Sequence, residues 1–484
     1  MTTRPAGPRP IMAEQCTALS PTAVVAAAAP VAARLGAAAM ANGGNAYDAV
    51  LTAALAETVL LPPKCGLAGD LIALAWRQDE PSPEALLAIG GAPDALADAL
   101  RDRSLGDTGP LSVGVPGAPA GYQALAERGR RGLAAAAAPA IELADEGFCW
   151  SRICTVLAEE SAELVRTHQP SGTAYYPAGA PIAPGAVTRL PGLGQALQRL
   201  VDDGADFLDG PVGQAIVSRV QASGGILTSS DFRHSTAEWI DSHAGADGEW
   251  WATPAPTHGP SLLDAMARWG SRADPAEVLV AVREAAGRRS AELADPSGTS
   301  MVGAVDDDGT IVVVVHSNSY PRFGSGLIVD EFDLILANRA GRGFSADPAH
   351  PNYPAPGRRP ATTLHAWGWR HRSGTRVLGA TPGGANQMPW NAQTIARVAH
   401  RHQLEPTYLA DAVVAPRWQL EPTGTITIED GFTDHELASL IARVPEASHC
   451  ERWGLRSAMQ IVADFGDRRF AVADPRTVGA VVPI

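Results

Sequence analysis

Lysine is almost absent from this sequence of 484 residues: Lys64 is the only one, and all other basic side chains that are charged at every physiological pH are arginine. Lysine and arginine together number 38 against 52 acidic residues, which gives a formal net charge of −14 at pH 7. A surface with this excess of negative charge repels phosphate groups. The sequence therefore predicts no nucleic-acid partner.

Cysteine is scarce and scattered, and histidine shows no clustering. The five cysteines include no CxxC pair, and the sequence has neither a P-loop nor a dinucleotide-binding fingerprint. No metal ion and no organic cofactor is therefore expected, and an unpatterned set of cysteines is typical of a reducing, cytoplasmic compartment. Four of the histidines are expected in loops or as helix caps, namely His258, His316, His350 and His365.

Long hydrophobic runs are missing as well. No apolar stretch reaches the roughly 20 residues that span a bilayer, so no membrane partner is expected. The Ala-rich stretch of residues 24–41 is interrupted by Pro30 and Arg34. It is interpreted as a helix of the folded domain, not as a signal peptide.

Periodic elements are present in mixed blocks. Apolar residues make up 45% of the chain, enough for a sizeable core. Residues 46–59 are predicted to form a helix and residues 71–77 a strand. Residues 300–305 and 310–317 read as two strands joined by a DDDG turn. Strands and helices that do not alternate strictly predict an α+β fold with layered packing.

Eight segments, in the same order along the chain, resemble motifs of the γ-glutamyltranspeptidase family of N-terminal-nucleophile hydrolases. The resemblance covers about residues 22–484. The segments are GGNAYDAVLTAALAETVLLPPKCGLAGDLIAL, GVPGAPAGY, PAIELADEGF, GGILTSSDF, TPAPTHGPSLL, FGSGLIV, GRRPATTLHA and ATPGG.

This resemblance implies a four-layer αββα sandwich and a precursor that is cut between Gly298 and Thr299. The expected parts are a flexible tail of residues 1–21, a large subunit of residues 22–298 and a small subunit of residues 299–484. The two subunits would be each other's partners and would form one αββα unit.

The chemistry expected of Thr299 can be argued from the residue itself. A threonine hydroxyl is a weak nucleophile unless a base lies beside it, and a chain-terminal threonine carries its own α-amine, with a pKa of about 7.7 to 8. Before cleavage the same hydroxyl can attack the preceding carbonyl, and Gly298 has no side chain to obstruct that approach. The alternative is that Thr299 only begins a β-strand.

The resemblance assigns three further residues to catalysis. Ser317 matches a hydroxyl residue that hydrogen-bonds the nucleophile, and its alternative is an ordinary serine at a strand end. Gly383 and Gly384 match a pair whose backbone N–H groups form an oxyanion hole. Their alternative is a plain glycine turn.

Substrate contacts are implied for Asn318, as an amide donor, and for Thr362 and Thr363, whose hydroxyls would line the pocket. Asp70, in GLAGD, is interpreted as a structural residue, either a helix cap or a buried hydrogen-bond acceptor.

The sequence departs from the family at both sites that bind the α-amino acid end of a γ-glutamyl substrate. Gly91, in IGGAP, stands where members that bind a γ-glutamyl group have an arginine for the substrate's α-carboxylate. The acidic pair that receives the α-ammonium is missing, and Arg339 and Arg342 occur in that segment instead. Either of these, or Arg322, could bind an anion from another direction. The alternative for each is a solvated surface arginine.

The sequence therefore predicts a self-processing hydrolase that forms an acyl-enzyme on Thr299 with a small-molecule substrate other than a γ-glutamyl compound. The resemblance extends to γ-glutamyltranspeptidase-like enzymes of actinobacterial 4-alkylproline biosynthesis, which are associated with C–C bond hydrolysis. One alternative is a γ-glutamyl hydrolase or transferase acting on glutathione-like amides. Another is an unprocessed, non-catalytic binding protein, since TSM follows Gly298 where the family more often has a TTH-type triplet.

Overall fold

The computed structural model describes residues 16–269, 274–288 and 298–484. In chain order the strands are β1 (Thr17–Ser20), β2 (Val24–Ala27), β3 (Asp70–Trp76), β4 (Glu84–Ala88), β5 (Phe148–Cys149), β6 (Val187–Thr188), β7 (Glu238–Asp241), β8 (His243–Ala244), β9 (Trp250–Ala252), β10 (Thr299–Val305), β11 (Ile311–Ser317), β12 (Ile328–Val329), β13 (Leu334–Ile335), β14 (Trp367–Arg370), β15 (Arg376–Ala380), β16 (Trp418–Leu420), β17 (Ile426–Glu429), β18 (Ser448–Cys450), β19 (Gln460–Asp464), β20 (Arg469–Ala473) and β21 (Ala480–Pro483).

The α-helices, in chain order within the same described ranges, are α1 (Pro30–Ala41), α2 (Ala46–Leu60), α3 (Leu96–Ala99), α4 (Ala118–Ala126), α5 (Gly132–Glu146), α6 (Arg152–Glu160), α7 (Ala162–His168), α8 (Pro191–Asp203), α9 (Pro211–Ala222), α10 (Gly259–Met266), α11 (Pro275–Gly287), α12 (Arg339–Gly343), α13 (Gln387–Val398), α14 (Pro406–Val414) and α15 (Asp434–Arg443).

Two antiparallel sheets of seven strands form the centre of the fold. Sheet 1 has the strand order β21-β2-β10-β11-β3-β4-β7, and sheet 2 has the order β1-β20-β19-β15-β14-β9-β8. Strands β10 and β2 of sheet 1 lie against β19 and β20 of sheet 2. Helices α1, α2 and α4 lie on the outer face of sheet 1, and α5 packs on α2. Helices α10 and α13 lie on the outer face of sheet 2, and α11 packs on both of them. The predicted four-layer αββα sandwich is therefore confirmed.

The period of two along a strand explains how sheet 1 is buried on both faces. In β11, Val313 and Val315 pack between the two sheets, whereas Val312 and Val314 pack under the helices. Each of these side chains is fully buried, and burying a valine stabilises the fold by about 1.5–3 kcal/mol. By the same alternation, Ser317 belongs to the face between the sheets.

The register of the β10–β11 hairpin is set by its turn. The Asp306 carboxyl group accepts hydrogen bonds from the backbone N–H of Thr310, at 2.8 Å, and of Ala46, the first residue of α2, at 2.9 Å. Gly309 has a φ of 76°, a conformation that glycine adopts without strain. The resulting pairing puts Thr299 directly opposite Ser317. The predicted hairpin is confirmed with this register.

Two predictions about the N-terminal region are revised by the structure. Residues 24–41 form a buried strand, β2, followed by helix α1, so the stretch is not one helix. Residues 1–15 of the predicted tail lie outside the described residues. Thr17–Ser20 pairs with β20 as an edge strand of sheet 2, so the tail does not extend to residue 21. Within the described ranges, no helix combines the length and apolarity that crossing a bilayer requires.

Candidate active site

Thr299 and Ser317 form the centre of the candidate site, at the end of the β10–β11 hairpin. Both side chains are at least 97% buried, and their hydroxyl oxygens are 3.0 Å apart. The Ser317 hydroxyl donates to the Gly298 carbonyl at 2.6 Å and accepts from the Ser319 N–H at 2.9 Å. A serine hydroxyl has one proton to donate, so it is the Thr299 hydroxyl that donates to Ser317.

This arrangement connects the candidate nucleophile to the bond that it would break. Ser317 accepts a hydrogen bond from the Thr299 hydroxyl and donates one to the carbonyl of the Gly298–Thr299 peptide, which polarises that carbonyl. The site also needs glycine at position 298, because a Cβ there would lie 2.0 Å from the Ser319 carbonyl oxygen. Ser319 itself has a φ of 68°, which is uncommon for a residue with a side chain.

Gly383 and Gly384 follow β15, a strand of sheet 2. Ala380, which ends β15, pairs with Gln460, and the Gln460 side chain donates to the Met301 carbonyl at 3.1 Å. This contact connects the end of β15 to the beginning of β10. Gly383 has a φ of 152° and Gly384 a φ of 55°.

A side chain at position 383 is excluded, since its Cβ would lie 2.5 Å from the Trp390 ring. In the described parts of the chain, neither the Gly383 nor the Gly384 N–H donates to a protein acceptor. These two N–H groups are therefore available to an acceptor from outside the described chain, and their role as an oxyanion hole stays a prediction.

The predicted pocket residues lie close to this glycine turn. The Thr363 hydroxyl donates to the side-chain oxygen of Gln387, whose amide nitrogen donates to the Thr363 and Thr381 carbonyls at 3.2 Å. Gln387 begins helix α13, three residues after Gly384. The Thr362 hydroxyl accepts from the Leu364 N–H and is fully buried. The Thr363 hydroxyl is thus tied to the turn through Gln387, and Thr362 directly precedes it in the chain.

Asn318 follows Ser317 and is fully buried, as its proposed role beside the substrate requires. Its side-chain N–H donates to the Pro62 carbonyl at 3.2 Å, and its Oδ1 has no hydrogen-bond partner in the part of the chain that the structure describes. Oδ1 and the second N–H of this amide group are therefore both available to a substrate, and the role as a donor stays a prediction.

A second polar network supports the site from the helix side of sheet 1. Ser300 and His316 are paired in register on the face opposite to Thr299 and Ser317. Glu57 of α2 accepts from the Ser300 hydroxyl at 2.6 Å and from His316 Nε2 at 3.0 Å. Glu57 also accepts from two backbone N–H groups, those of Ala28 at 2.8 Å and Ala29 at 3.2 Å.

His316 completes this network through its other ring nitrogen, Nδ1, which lies 2.9 Å from the Tyr122 hydroxyl. The bonds assign a proton to Nε2 and leave Nδ1 as the acceptor. The prediction of a loop or capping histidine was wrong for His316, because it is a fully buried strand residue. Glu57 was also missed, because its helix contains other polar residues and nothing in the local sequence marks this carboxylate as buried.

The atoms of Glu57, Cys65 and His316 that could bind a metal lie within 4.8 Å of one another. Their chemistry does not fit an ion, however. Burial raises the pKa of the Cys65 thiol well above its ordinary value, and metal binding needs the thiolate. The thiol donates to the backbone carbonyls of Glu57 and Leu61, and the other two side chains are already hydrogen-bonded as described.

Asp70 and Arg339 form a buried ion pair at the edge of the site, with Nε of Arg339 2.6 Å from Oδ2 of Asp70. Oδ1 of Asp70 accepts from the Gly90 N–H at 3.1 Å. Burial raises the pKa of the Asp70 carboxyl group, and the charge of Arg339 opposes that rise. Asp70 is thus the buried acceptor that the sequence predicted, and Arg339 is not a solvated surface residue.

The other two candidate arginines have protein partners. Arg322 lies 3.3 Å from a carboxylate oxygen of Glu160, and Arg342 lies 2.5 Å from Asp107. Gly91 could not be exchanged for arginine without a shift of the backbone, because a Cβ there would lie 2.7 Å from the Gly357 carbonyl oxygen. The close approach of the Gly357 backbone therefore requires glycine at position 91, where the family has arginine.

Comparisons with known proteins agree with this fold. A family model described as Gamma-glutamyltranspeptidase matches residues 32–268 and 270–484. The oxamate amidohydrolase proenzyme of Klebsiella pneumoniae is 27% identical over 494 residues, which cover 88% of this chain and 89% of that protein. The glutathione hydrolase-like YwrD proenzyme of Bacillus subtilis is 25% identical over 460 residues, which cover 82% of this chain and 86% of that protein.

Two solved structures share the fold over the full length of the chain. The cephalosporin acylase from Bacillus halodurans has a TM-score of 0.83 and 24% identity, with 100% of this chain and 99% of that chain covered. The structure of LmbA2991HD has a TM-score of 0.81 and 23% identity, with both chains fully covered. The family match and the shared architecture show that this chain is an enzyme of the gamma-glutamyltranspeptidase family, with the N-terminal-nucleophile hydrolase fold.

Proposed function

We propose that this protein is a self-processing hydrolase in which Thr299 first cuts the chain after Gly298 and then forms an acyl-enzyme with a small-molecule substrate. The observation that carries the proposal is the hydrogen-bonded unit of Thr299, Ser317 and the Gly298 carbonyl. It places a hydroxyl, a partner for its proton and a polarised carbonyl in one buried contact.

The cleavage step follows from these contacts. The Thr299 hydroxyl oxygen attacks the Gly298 carbonyl carbon, the C–N bond breaks, and the acyl group moves from nitrogen to oxygen as an ester. Ser317 hydrogen-bonds the carbonyl oxygen on which negative charge develops. Water then hydrolyses the ester, which leaves a carboxylate on Gly298 and a free α-amine on Thr299. The word proenzyme in the names of both relatives supports this order of events.

The same groups would serve the substrate reaction. The α-amine accepts the hydroxyl proton as Thr299 attacks the substrate's carbonyl carbon, and the N–H groups of Gly383 and Gly384 stabilise the oxyanion. The leaving group departs with a proton, and water releases the acyl group. An amide substrate is supported by the amidohydrolase and hydrolase activities named for the relatives. The C–C bond hydrolysis suggested by the sequence stays a prediction.

A substrate other than a γ-glutamyl compound is supported by the packing around Gly91 and by the arginines of α12. No room exists for a guanidinium at position 91 with the backbone as it stands. In place of carboxylates for an α-ammonium group, the segment offers Arg339 and Arg342. Both features disfavour the α-amino acid end of a γ-glutamyl donor.

The test is the intact mass of the purified wild-type chain, followed over time, with a parallel assay on γ-glutamyl-p-nitroanilide. We expect two fragments, residues 1–298 and 299–484, and little release of nitroaniline. A chain that keeps its full mass of 50.3 kDa through long incubation contradicts self-processing and supports the non-catalytic alternative. Rapid nitroaniline release by the cut protein would instead support the γ-glutamyl alternative.

Removal of the Ser317 hydroxyl is expected to slow self-cleavage. In Ser317→Ala the Thr299 hydroxyl and the Gly298 carbonyl lose their shared partner, and loss of such a positioned group costs about 100-fold or more in rate. The half-time of precursor conversion measures the effect. Ser325→Ala is the matched control, since Ser325 is equally buried and its hydroxyl donates to the Leu336 carbonyl and accepts from the Leu327 N–H, away from Thr299. Equal half-times in the two variants would show that Ser317 has no role in cleavage.

A further inference from the structure

Three side chains on neighbouring strands form a row on the face between the sheets. Thr299 on β10 is in register with Ser317 on β11, and Ser317 is in register with Asp70 on β3. Adjacent strands lie about 4.8 Å apart, so Asp70 lies two strands, or about 10 Å, from the nucleophile. This separation between the strands leaves space for a short acyl chain between Thr299 and a charged group held at Asp70.

Asp70 holds a guanidinium at that distance. Arg339 is only 4% exposed, and its Nε is bound to Asp70 as described. Across the described parts of the chain, neither of its two terminal nitrogens has a hydrogen-bond or ion-pair partner. The terminal edge of a guanidinium carries two parallel N–H groups, the geometry that binds a carboxylate with two hydrogen bonds.

The position of this guanidinium is related to the departure at Gly91. Gly90, the preceding residue, donates its N–H to the same Asp70 carboxylate that binds Arg339. The family's arginine at position 91 is thus replaced by Arg339 of α12, which binds the same carboxylate as the Gly90 N–H. A positive charge is therefore present beside Gly91, although it comes from another part of the chain.

From this geometry, and resting on the proposed function above, we propose that Arg339 binds the free carboxylate of an acyl donor that carries no α-ammonium group. The substrate class is an amide of a short dicarboxylic acid, with one carboxyl group as the acyl part at Thr299 and the other bound by Arg339. Asp70 acts as a positioning residue that fixes the guanidinium through Nε.

The charges around Arg339 explain why an α-ammonium group is disfavoured. Asp70 is occupied by Arg339 itself, and Asp107 is bound by Arg342 on the same helix. An ammonium group next to the substrate's carboxylate would face the Arg339 guanidinium, whose carboxylate partner is already engaged. A glutaryl group provides the carboxylate without that repulsion, whereas a γ-glutamyl group adds the amine.

The test compares p-nitroanilides that differ only at the far end of the acyl group. Glutaryl-p-nitroanilide has a carboxylate there, and the isosteric glutaramoyl-p-nitroanilide has a neutral amide. We expect the wild type to prefer the glutaryl compound by about 100-fold in kcat/KM, the size expected for a buried guanidinium–carboxylate contact. Arg339→Gln should bring this ratio to about one, because only the glutaryl compound loses a charged partner.

Two controls separate this proposal from the proposed function. Self-cleavage, read by intact mass, should occur in Arg339→Gln as in the wild type, since the contact lies about two strands from Thr299. Arg342→Gln, which changes the same helix but leaves Asp70 and Arg339 in place, should keep the wild-type preference.

A wild-type ratio near one, or a preference that survives in Arg339→Gln, overturns the carboxylate site while self-cleavage still supports the hydrolase. If neither anilide is hydrolysed, or the chain stays whole, calorimetry with glutarate decides. Glutarate binding that is lost in Arg339→Gln supports the site, and absence of glutarate binding to the wild type overturns it.

Discussion

Thr299→Val is expected to keep the chain whole and to abolish hydrolysis, with a loss of at least about a thousandfold in both reactions. Valine has the shape of threonine with a methyl group in place of the hydroxyl, and it suits a strand equally well. The variant therefore removes the nucleophile and little else from a side chain that is 3% exposed. Intact mass and hydrolysis of the glutaryl anilide measure the two losses.

Thr299→Ser is the matched control, because it keeps a hydroxyl at the same position. Serine in this variant can still donate to Ser317 and attack the Gly298 carbonyl, so the chain should be cut at the same bond. Cleavage between residues 298 and 299 in the valine variant would show that another group attacks this peptide. A serine variant that stays whole would show that the threonine methyl group is needed to orient the hydroxyl.

Glu57→Ala is expected to lower the free energy of unfolding by about 4 kcal/mol. The substitution leaves four buried donors without an acceptor: the N–H groups of Ala28 and Ala29, the Ser300 hydroxyl and His316 Nε2. Each unsatisfied buried group costs about 1–3 kcal/mol, partly relieved by relaxation. Since folded domains are stable by only about 5–15 kcal/mol, the loss is large.

Urea unfolding, followed by tryptophan fluorescence, measures this difference. Both proteins should carry Thr299→Val, so that neither is cut and the curves compare unbroken chains. Glu142→Ala is the control, because Glu142 is an exposed residue of α5 and surface substitutions change stability by about 0.5 kcal/mol or less. An unfolding curve for Glu57→Ala that coincides with the Glu142→Ala curve would contradict the structural role of the network.

The parts of the site that could be predicted from the sequence lie on one local element. The DDDG turn and the apolar strands around it predict the hairpin, and the hairpin register places Thr299 opposite Ser317. The glycine pair at 383 and 384 was identified through the family resemblance, and the structure gives both residues positive φ values, which glycine adopts without strain. These features depend on residues that are close in the sequence.

The support of the site could not be predicted in this way. Glu57 contacts Ser300 across 243 positions of the sequence, and Arg339 contacts Asp70 across 269. A buried carboxylate and a buried guanidinium are recognisable as unusual only when their burial is known. The local sequence of Arg339 was equally consistent with a solvated surface arginine.

The sequence by itself determined the α+β layering, the hairpin that presents Thr299, and the absence of a guanidinium at Gly91, because periodicity, turn residues and side-chain identity are local properties. Only the tertiary structure decided which polar groups meet in the cleft. Packing of α2 against sheet 1 brings Glu57 to the strand behind the nucleophile, and the row of β10, β11 and β3 brings Asp70 and its bound Arg339 within about 10 Å of Thr299. Long-range contacts of this kind form when whole elements pack together, so no single segment encodes them.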